Sequence, residues 1–427
     1  LRGVPFTLAL ALLLLAPAAF AKPRTSDLLA IADLEDRRSL GGGRLVELLR
    51  SEDPETRAAA ARAVGRIGAA DGIAPLLDRL SDSDAAVRRE TIFALGLLGS
   101  PDARDALHRV AASNAAPEER VEAVLALGRL RGEGAAEVLL PFLTDPSPVI
   151  RAETAVALAA TGDSVAAVDL RPLLSDSNAS VRAQAAWAAG RLKVASLAPD
   201  LRALLSDADP EVRLAVTKAV GQVEDAEALG ALALLARDSD WRVRVNVAGA
   251  LGKTKSLEAL AGLAILGKDE NPHVRAAVAA ALKDVPYHYK KDDILIPLRN
   301  DREPEVRAAT MQTFAASLTF ENTMLEEHWM AAGDSSGHVV DAAYTSFADA
   351  SRGLEKGLGP NRWRMASWFY MRGRLQNAES PLAEKISAAY HLGAFEAGDV
   401  RGALAELLGG DQPALLSAAV HGLGELA

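Results

Sequence analysis

The chain has 427 residues, 49% of them apolar but only 4% aromatic, and its 47 basic and 57 acidic residues leave a net charge of −10. The absence of cysteine excludes a disulfide framework, a thiolate zinc site and a cysteine nucleophile, and the acidic balance argues against nonspecific nucleic-acid binding. With so few large rings, the core must be built from small side chains at regular spacing that let backbones approach.

Residues 1–21 read as a secretory signal. Arg2 is a short basic start, Phe6 to Ala16 is an apolar run interrupted only by Thr7, and Ala19-Phe20-Ala21 has the small-x-small pattern of a cleavage site. The run is too short to span a bilayer as a helix. Cleavage is expected after Ala21, which places the protein in an extracytoplasmic, periplasmic compartment with no membrane span left. Residues 22–43 are expected to form an N-terminal capping helix.

From residue 44 to 316 one column sets the period. Arg57, Arg88, Arg120, Arg151, Arg182, Arg213, Arg244, Arg275 and Arg307 recur every 31 or 32 residues. A fixed period of that size marks a solenoid. Eight residues after the arginine, most repeats carry glycine (Gly65, Gly96, Gly128, Gly190, Gly221, Gly252), and six after it nearly all carry alanine. Six before it stands an aspartate (Asp82, Asp145, Asp176, Asp207, Asp238, Asp269, Asp301), replaced by Asn114 in the third repeat and Ser51 in the first.

Each repeat reads as two helices. In the second repeat Ile73 to Leu80 is apolar at helical spacing, Ser81-Asp82-Ser83-Asp84 breaks it, and a second helix is predicted from Ala85 to Leu98. Asp53-Pro54, Asp209-Pro210 and Asn271-Pro272 place a cap acceptor before a proline at the first helical position. Neither helix can bury its apolar face alone, so repeats must stack. The predicted fold is all-α, a solenoid of about 11 to 12 helical hairpins. Alanine at the sixth position lets second helices approach. Val64, Leu95, Leu127, Leu158, Val220, Leu251 and Leu282 fill the core between them. The aspartate and arginine columns are expected to form a ladder in which each carboxylate meets the next repeat's guanidinium or backbone N–H groups.

The pattern D-x5-R followed by x5-A-L-G, as in Asp82, Arg88 and Ala94-Leu95-Gly96, resembles the HEAT family in its short bacterial form, the PBS-lyase HEAT-like repeats. The likeness is strong over 44–316 and weaker over 381–427, where Lys385 and Leu416 take the arginine column eight residues before Gly393 and Gly424. It implies a right-handed superhelix with second helices on the concave side, and says little about function. Residues 30–68, with Glu35-Asp36-Arg37-Arg38 leading into the first repeat, are similar to the N-terminal array of envelope proteins in which HEAT repeats precede a cyclophilin-like peptidyl-prolyl isomerase domain. That resemblance implies a substrate-binding arm whose catalytic domain lies beyond residue 427. The chain's end at Gly424 to Ala427 without a polar cap fits a truncated product. The repeat's name also implies a bilin lyase-like protein, against which the secretory signal and the lack of suitable chemistry count.

Thirteen of the nineteen aromatics lie between 284 and 395, where the register loosens. Residues 317–380 are expected to form a divergent, aromatic-rich helical segment, in which a larger core is the favoured explanation of the rings. Residues 381–427 are read as terminal repeats.

Chemistry is sparse. His108, His273, His288, His328, His338, His391 and His421 form no close ligand pair apart from His328 and His338 near Glu326 and Glu327, too few for a fixed metal geometry. Gly333-Asp334-Ser335-Ser336-Gly337 matches the letters of a nucleophile elbow but lacks the strand that motif needs. No catalytic residue, cofactor or metal is expected in the residues present.

The stronger candidate is a surface. On each second helix the position five after the arginine points away from the packed face. It reads Arg62, Phe93, Leu125, Val156, Trp187, Lys218, an apolar row of four flanked by Glu90, Glu122 and Glu153 and by Arg129 and Arg191. Apolar patches with polar rims mark interaction sites. The sequence thus predicts a non-catalytic scaffold that binds a protein or peptide partner on its concave face through Phe93, Leu125, Val156, Trp187, Glu122, Glu153, Arg129 and Arg191. No nucleic-acid partner is expected.

Overall fold

The computed structural model describes residues 22–130, 134–286, 288–316, 336, 339, 342, 345, 371–377, 380, 382–393, 400–410 and 412–425. All regular structure among them is helical. They form two compact units, one up to Leu201 and one from Arg202. Repeats one to five belong to the first, repeats six to nine and the terminal repeats to the second. The expected signal at 1–21 and the aromatics between 320 and 370 lie outside the described residues.

In the first unit the helix Lys22–Asp36 precedes the first repeat. Glu35 holds Arg66 of the first second helix at 2.8 Å, and Asp27 holds Arg44 at 2.9 Å. Second helices follow at Pro54–Ile67, Ala85–Leu98, Pro117–Arg129, Pro148–Thr161 and Ala179–Arg191. The second unit continues with Pro210–Gln222, Trp241–Lys253, Pro272–Leu282 and Pro304–Ala316. Asp53, Asp209 and Asn271 each accept a hydrogen bond from a backbone N–H of the following turn, with proline at the helix start, as the sequence predicts.

First helices are shorter and less regular than the sequence suggests. Ile73–Arg79, Arg104–Ala112 and Leu229–Leu235 are α-helical. Glu137–Thr144 and Ala166–Ser175 instead wind as 3-10 helices around Pro141 and Pro172. A proline inside a helix removes one donor and collides with the preceding turn, and the tighter 3-10 winding accommodates that over a short stretch.

Second helices meet through two columns. A Cβ added at Gly65 would lie 2.6 Å from the Ala94 Cα, and one at Gly128 would lie 2.6 Å from the Ala157 carbonyl oxygen. Gly96 faces Ala126, Gly221 faces Ala250 and Gly252 faces Ala281 in the same way. The glycine eight after the arginine therefore abuts the alanine six after the next arginine, and the approach needs both. Val64, Leu95, Leu127, Leu158, Val220, Leu251 and Leu282 beside them are fully buried. The contact recurs in the terminal repeats, where a Cβ on Gly393 would strike the Gly422 carbonyl at 2.0 Å. The register read from Lys385 and Leu416 is thus the one that packs.

The ladder is present but runs opposite to the expected direction. Arg57 donates Nε and Nη2 to Asp82 of the following repeat at 2.8 and 2.7 Å. Arg151 meets Asp176, Arg213 meets Asp238, Arg244 meets Asp269 and Arg275 meets Asp301 in the same forked geometry. Each carboxylate therefore takes the preceding repeat's guanidinium. Nη1 is committed to its own turn: that of Arg88 donates to the Asp82 carbonyl and that of Arg151 to the Asp145 carbonyl. This pins the arginine's base so that its fork reaches only forward. The carboxylates also accept from the backbone N–H two residues on, as Asp82 does from Asp84 and Asp176 from Asn178. Hydrogen bonds from Arg57 and Arg151 hold Asp82 and Asp176 below the usual carboxylate range.

The third repeat solves a missing rung. Asn114 cannot accept a fork from Arg88, and Glu119 does so instead at 2.7 and 3.2 Å. Glu119 stands just before Arg120, where other repeats bury Val87, Ile150 or Val181, and is itself 4% exposed. Arg120 still reaches Asp145 with Nη2 and turns its Nε to the Ala111 carbonyl.

Candidate partner surface on the second helices

The predicted row lies entirely in the first unit. Phe93, Leu125, Val156 and Trp187 sit on consecutive second helices, each between buried neighbours at the fourth and sixth positions. The sequence expects an exposed row, and the structure half-buries it. Close packing of the helices crowds large side chains at this position, and long basic side chains fold over the two rings. The Arg129 guanidinium lies 5.4 Å from the Phe93 ring centre, and that of Arg191 lies 5.6 Å from the Trp187 ring. Both are cation–π distances.

The charged flank divides into satisfied and unsatisfied groups. Arg62 pairs with Glu90 across the first two repeats. Arg129 donates to Glu122 at 3.0 Å while covering Phe93. Glu153 is half-buried and has no hydrogen-bond or ion-pair partner among the described residues. Burial, and then the neighbouring charge of Glu122, push its carboxyl above the ordinary range. Of the predicted site residues, the structure therefore joins Phe93, Arg129 and Glu122 in one contact and Trp187 with Arg191 in another. Glu153 stands against Glu122, with Leu125 and Val156 as the apolar middle of the row.

The second unit is the internal control. At the equivalent position it carries Lys218, Gly249, Ala280 and Gln312, all exposed. A Cβ added to Gly249 would meet nothing within 4 Å. The same helix stack therefore forms with nothing large at this column, so the rings and aliphatics of the first unit are not demanded by the architecture.

Sequence reasoning missed three features. Leu97, 42% exposed, extends the apolar surface one turn beyond Phe93; its place nine after Arg88, in the column that holds Arg129 and Arg191, was the available signal. In the second unit, Leu257, Leu260, Ala261, Ile294 and Pro297 line a groove of about 440 Å³ whose rim carries Glu258, Lys268, Lys290 and Asp293. It opens between first helices at the polar insert before the ninth repeat. Within that insert Lys291 is 3% exposed, its Nζ donating to the Val285 carbonyl at 2.9 Å, and burial depresses its pKa. Nothing in a string of two lysines and two aspartates distinguishes the buried lysine from the exposed one.

No group of three or more histidine, aspartate or glutamate side chains is placed to hold a metal among the described residues. His328, His338 and Ser335 lie outside them. No described helix is long and apolar enough to cross a membrane.

Comparison with known proteins agrees with this architecture. The family model for HEAT repeats matches residues 43–118, 109–177, 167–236 and 230–315. No curated protein matches the chain by sequence. Among solved structures, Kap95p in its assembly with RanGDP superposes with a TM-score of 0.60 at 13% identity, over 90% of this chain and 61% of that one. The Kap95:Nup1 complex gives 0.62 at 15% identity, over 93% and 64%. Kap121p bound to Pho4p gives 0.52 at 12% identity, over 90% and 48%. The chain thus spans roughly half to two thirds of these neighbours' lengths, and identities this low establish the fold alone. With the matches running from residue 43 to 315, well over half its length, the chain belongs to the HEAT-repeat family.

Proposed function

We propose that this chain is a non-catalytic scaffold that binds a protein or peptide partner across the second helices of repeats two to five. The observation that carries the reading is the contrast at one column: Phe93, Leu125, Val156 and Trp187 occupy a position that the second unit fills with Lys218, Gly249, Ala280 and Gln312 without loss of the stack. Large apolar side chains kept half in water where the fold does not need them are the material of interfaces. The structural neighbours add support of a coarser kind, since Kap95p and Kap121p are HEAT proteins seen with protein partners. The signal-like pattern of residues 1–21 supports a reading in which this binding takes place outside the cytoplasm.

A photo-reactive side chain at Val156 tests the reading against the same probe at Val165, which is 82% exposed and off the row. The expected result is a discrete cross-linked protein from position 156 that Trp187→Ala abolishes, with none from position 165. Equal labelling from both positions overturns the proposal. N-terminal sequencing of the exported chain should begin at Lys22. The purified chain should leave the isomerisation rate of a prolyl test peptide unchanged, and an acceleration would overturn the non-catalytic part.

A further inference from the structure

The row also carries information about its occupant. Up to the middle of the row the cations are paired, Arg62 with Glu90 and Arg129 with Glu122, while the exposed Arg191 lies over the Trp187 ring at the far end. What remains is a carboxylate. Glu153 is half-buried, unpartnered among the described residues, and set against a second carboxylate on Glu122. A charge held partly out of water is costly until it is paired, and Glu122 beside it already has Arg129, so a cation brought by a partner would find Glu153 as the carboxylate still to be paired. The apolar side chains around it, Leu125 and Val156, suit the methylene stem of a lysine or arginine, whose apolar stem packs while its head stays charged. The two rings mark the ends. Phe93 and Trp187 are three repeats apart, and helices packed about 8–10 Å from one another place them roughly 24–30 Å apart. An extended chain rising about 3.3 Å per residue covers that span in about eight or nine residues.

We propose that the occupant of the row is an extended protein segment of about that length, apolar toward both ends, with one lysine or arginine near its middle seated on Glu153. This rests on reading the row as the partner surface, and the test separates the two claims. Three nine-residue peptides of alternating leucine and serine, capped at both ends, carry a central lysine, a central glutamate or a central norleucine. Their binding is measured by fluorescence anisotropy against the mature chain and its Glu153→Gln and Trp187→Ala variants. The lysine peptide is expected to bind about tenfold more tightly than the norleucine peptide, the scale of one charge-assisted hydrogen bond, and the glutamate peptide more weakly than both. Glu153→Gln should erase the lysine advantage while leaving the norleucine peptide unchanged, and Trp187→Ala should weaken all three alike. If the three bind equally, Glu153→Gln has no effect and Trp187→Ala weakens them all, the basic occupant is overturned and the row stands. If no peptide binds, or Trp187→Ala changes nothing, the row itself is overturned.

Discussion

The repeats before Leu201 and those after Arg202 follow one plan and spend their free positions differently. Both units bury the same Val/Leu column, join glycine to alanine between second helices and fork arginine onto aspartate. In repeats one, two and four the second helices end at Gly68, Gly99 and Gly162, eleven residues after the arginine, each with positive φ, and the change to a side chain comes at repeat five, still within the first unit. In later repeats the same left-handed position holds a side chain: Lys193 at φ 53°, Glu224 at φ 55° and Lys255 at φ 53°. The column five after the arginine is apolar and half-buried in repeats two to five and small or polar and exposed in the second unit, where exposed apolar side chains such as Leu234 at 80% and Ile296 at 48% stand on first helices. The comparison teaches that the period fixes the backbone, and that function is written in the columns the backbone leaves free.

The sharpest way to break the shared plan is to cut a rung. Asp176→Ala leaves the Arg151 fork, 16% exposed, without its carboxylate. It should cost about 3 kcal/mol, since removing one partner strands the other charge, whereas removing the exposed pair of Lys255 and Glu224, 3.7 Å apart, should cost well under about 1 kcal/mol. Urea unfolding monitored by circular dichroism measures both, and equal losses would mean the ladder contributes no more than a surface ion pair.

The next test contrasts two glycines under one substitution. Gly128→Ala puts a Cβ 2.6 Å from the Ala157 carbonyl oxygen and should cost about 2 kcal/mol as overpacking. Gly249→Ala, at the column open to solvent, should instead stabilise by about 0.5–1 kcal/mol through helix propensity. The same sign at both positions would contradict the division between packed and free columns.

Acid should loosen both units together. The ladder aspartates Asp82 and Asp176 of the first unit and Asp238 and Asp269 of the second all titrate below their ordinary value. Hydrogen bonds from Arg57 and Arg151 dominate at Asp82 and Asp176. At Asp238 and Asp269 burial pulls upward, but the forks of Arg213 and Arg244 and the backbone donors outweigh it. A depressed carboxylate stabilises the fold above its unfolded pKa of about 3.9, and that stability is lost as pH falls through the lower folded value. Thermal midpoints should therefore be flat with respect to these groups from neutrality to about pH 5 and drop below about pH 4. Asp176→Asn should flatten the acid limb, and an unchanged limb would show that other groups govern it.

The smallest effect concerns the helix ends. Lys255→Gly relieves a left-handed side chain and should raise stability by about 0.5 kcal/mol, while Gly162→Ala in the first unit should lower it by about 1 kcal/mol. Both are read as shifts in the thermal midpoint.

Much of the plan is legible because it repeats. The cap at Asp53-Pro54, the helix Ala85–Leu98 and the buried Leu95 and Leu127 follow from residue type and spacing that nine repeats restate. Three things escape that reading. Spacing gives the distance between the arginine and aspartate columns but not the direction of the fork, which the Nη1 bond to the local carbonyl decides. Glu119 looks like any helix-start carboxylate until Asn114 leaves Arg88 without a rung. Lys193, Glu224 and Lys255 conceal a backbone position that glycine reveals elsewhere.

The candidate surface divides along the same line. The sequence by itself determined the helix face on which Phe93, Leu125, Val156 and Trp187 fall, because 100° per residue is a local property of one helix. It determined the stacking too, because one glycine and one alanine per period admit one close approach. Only the tertiary structure decided how much of the row stays open, since Arg129 and Arg191 cover the two rings. It likewise decided that Glu153 lacks, among the described residues, the partner that Glu90 and Glu122 have. Those outcomes depend on where long side chains from neighbouring helices end in space, and no spacing along a chain encodes that.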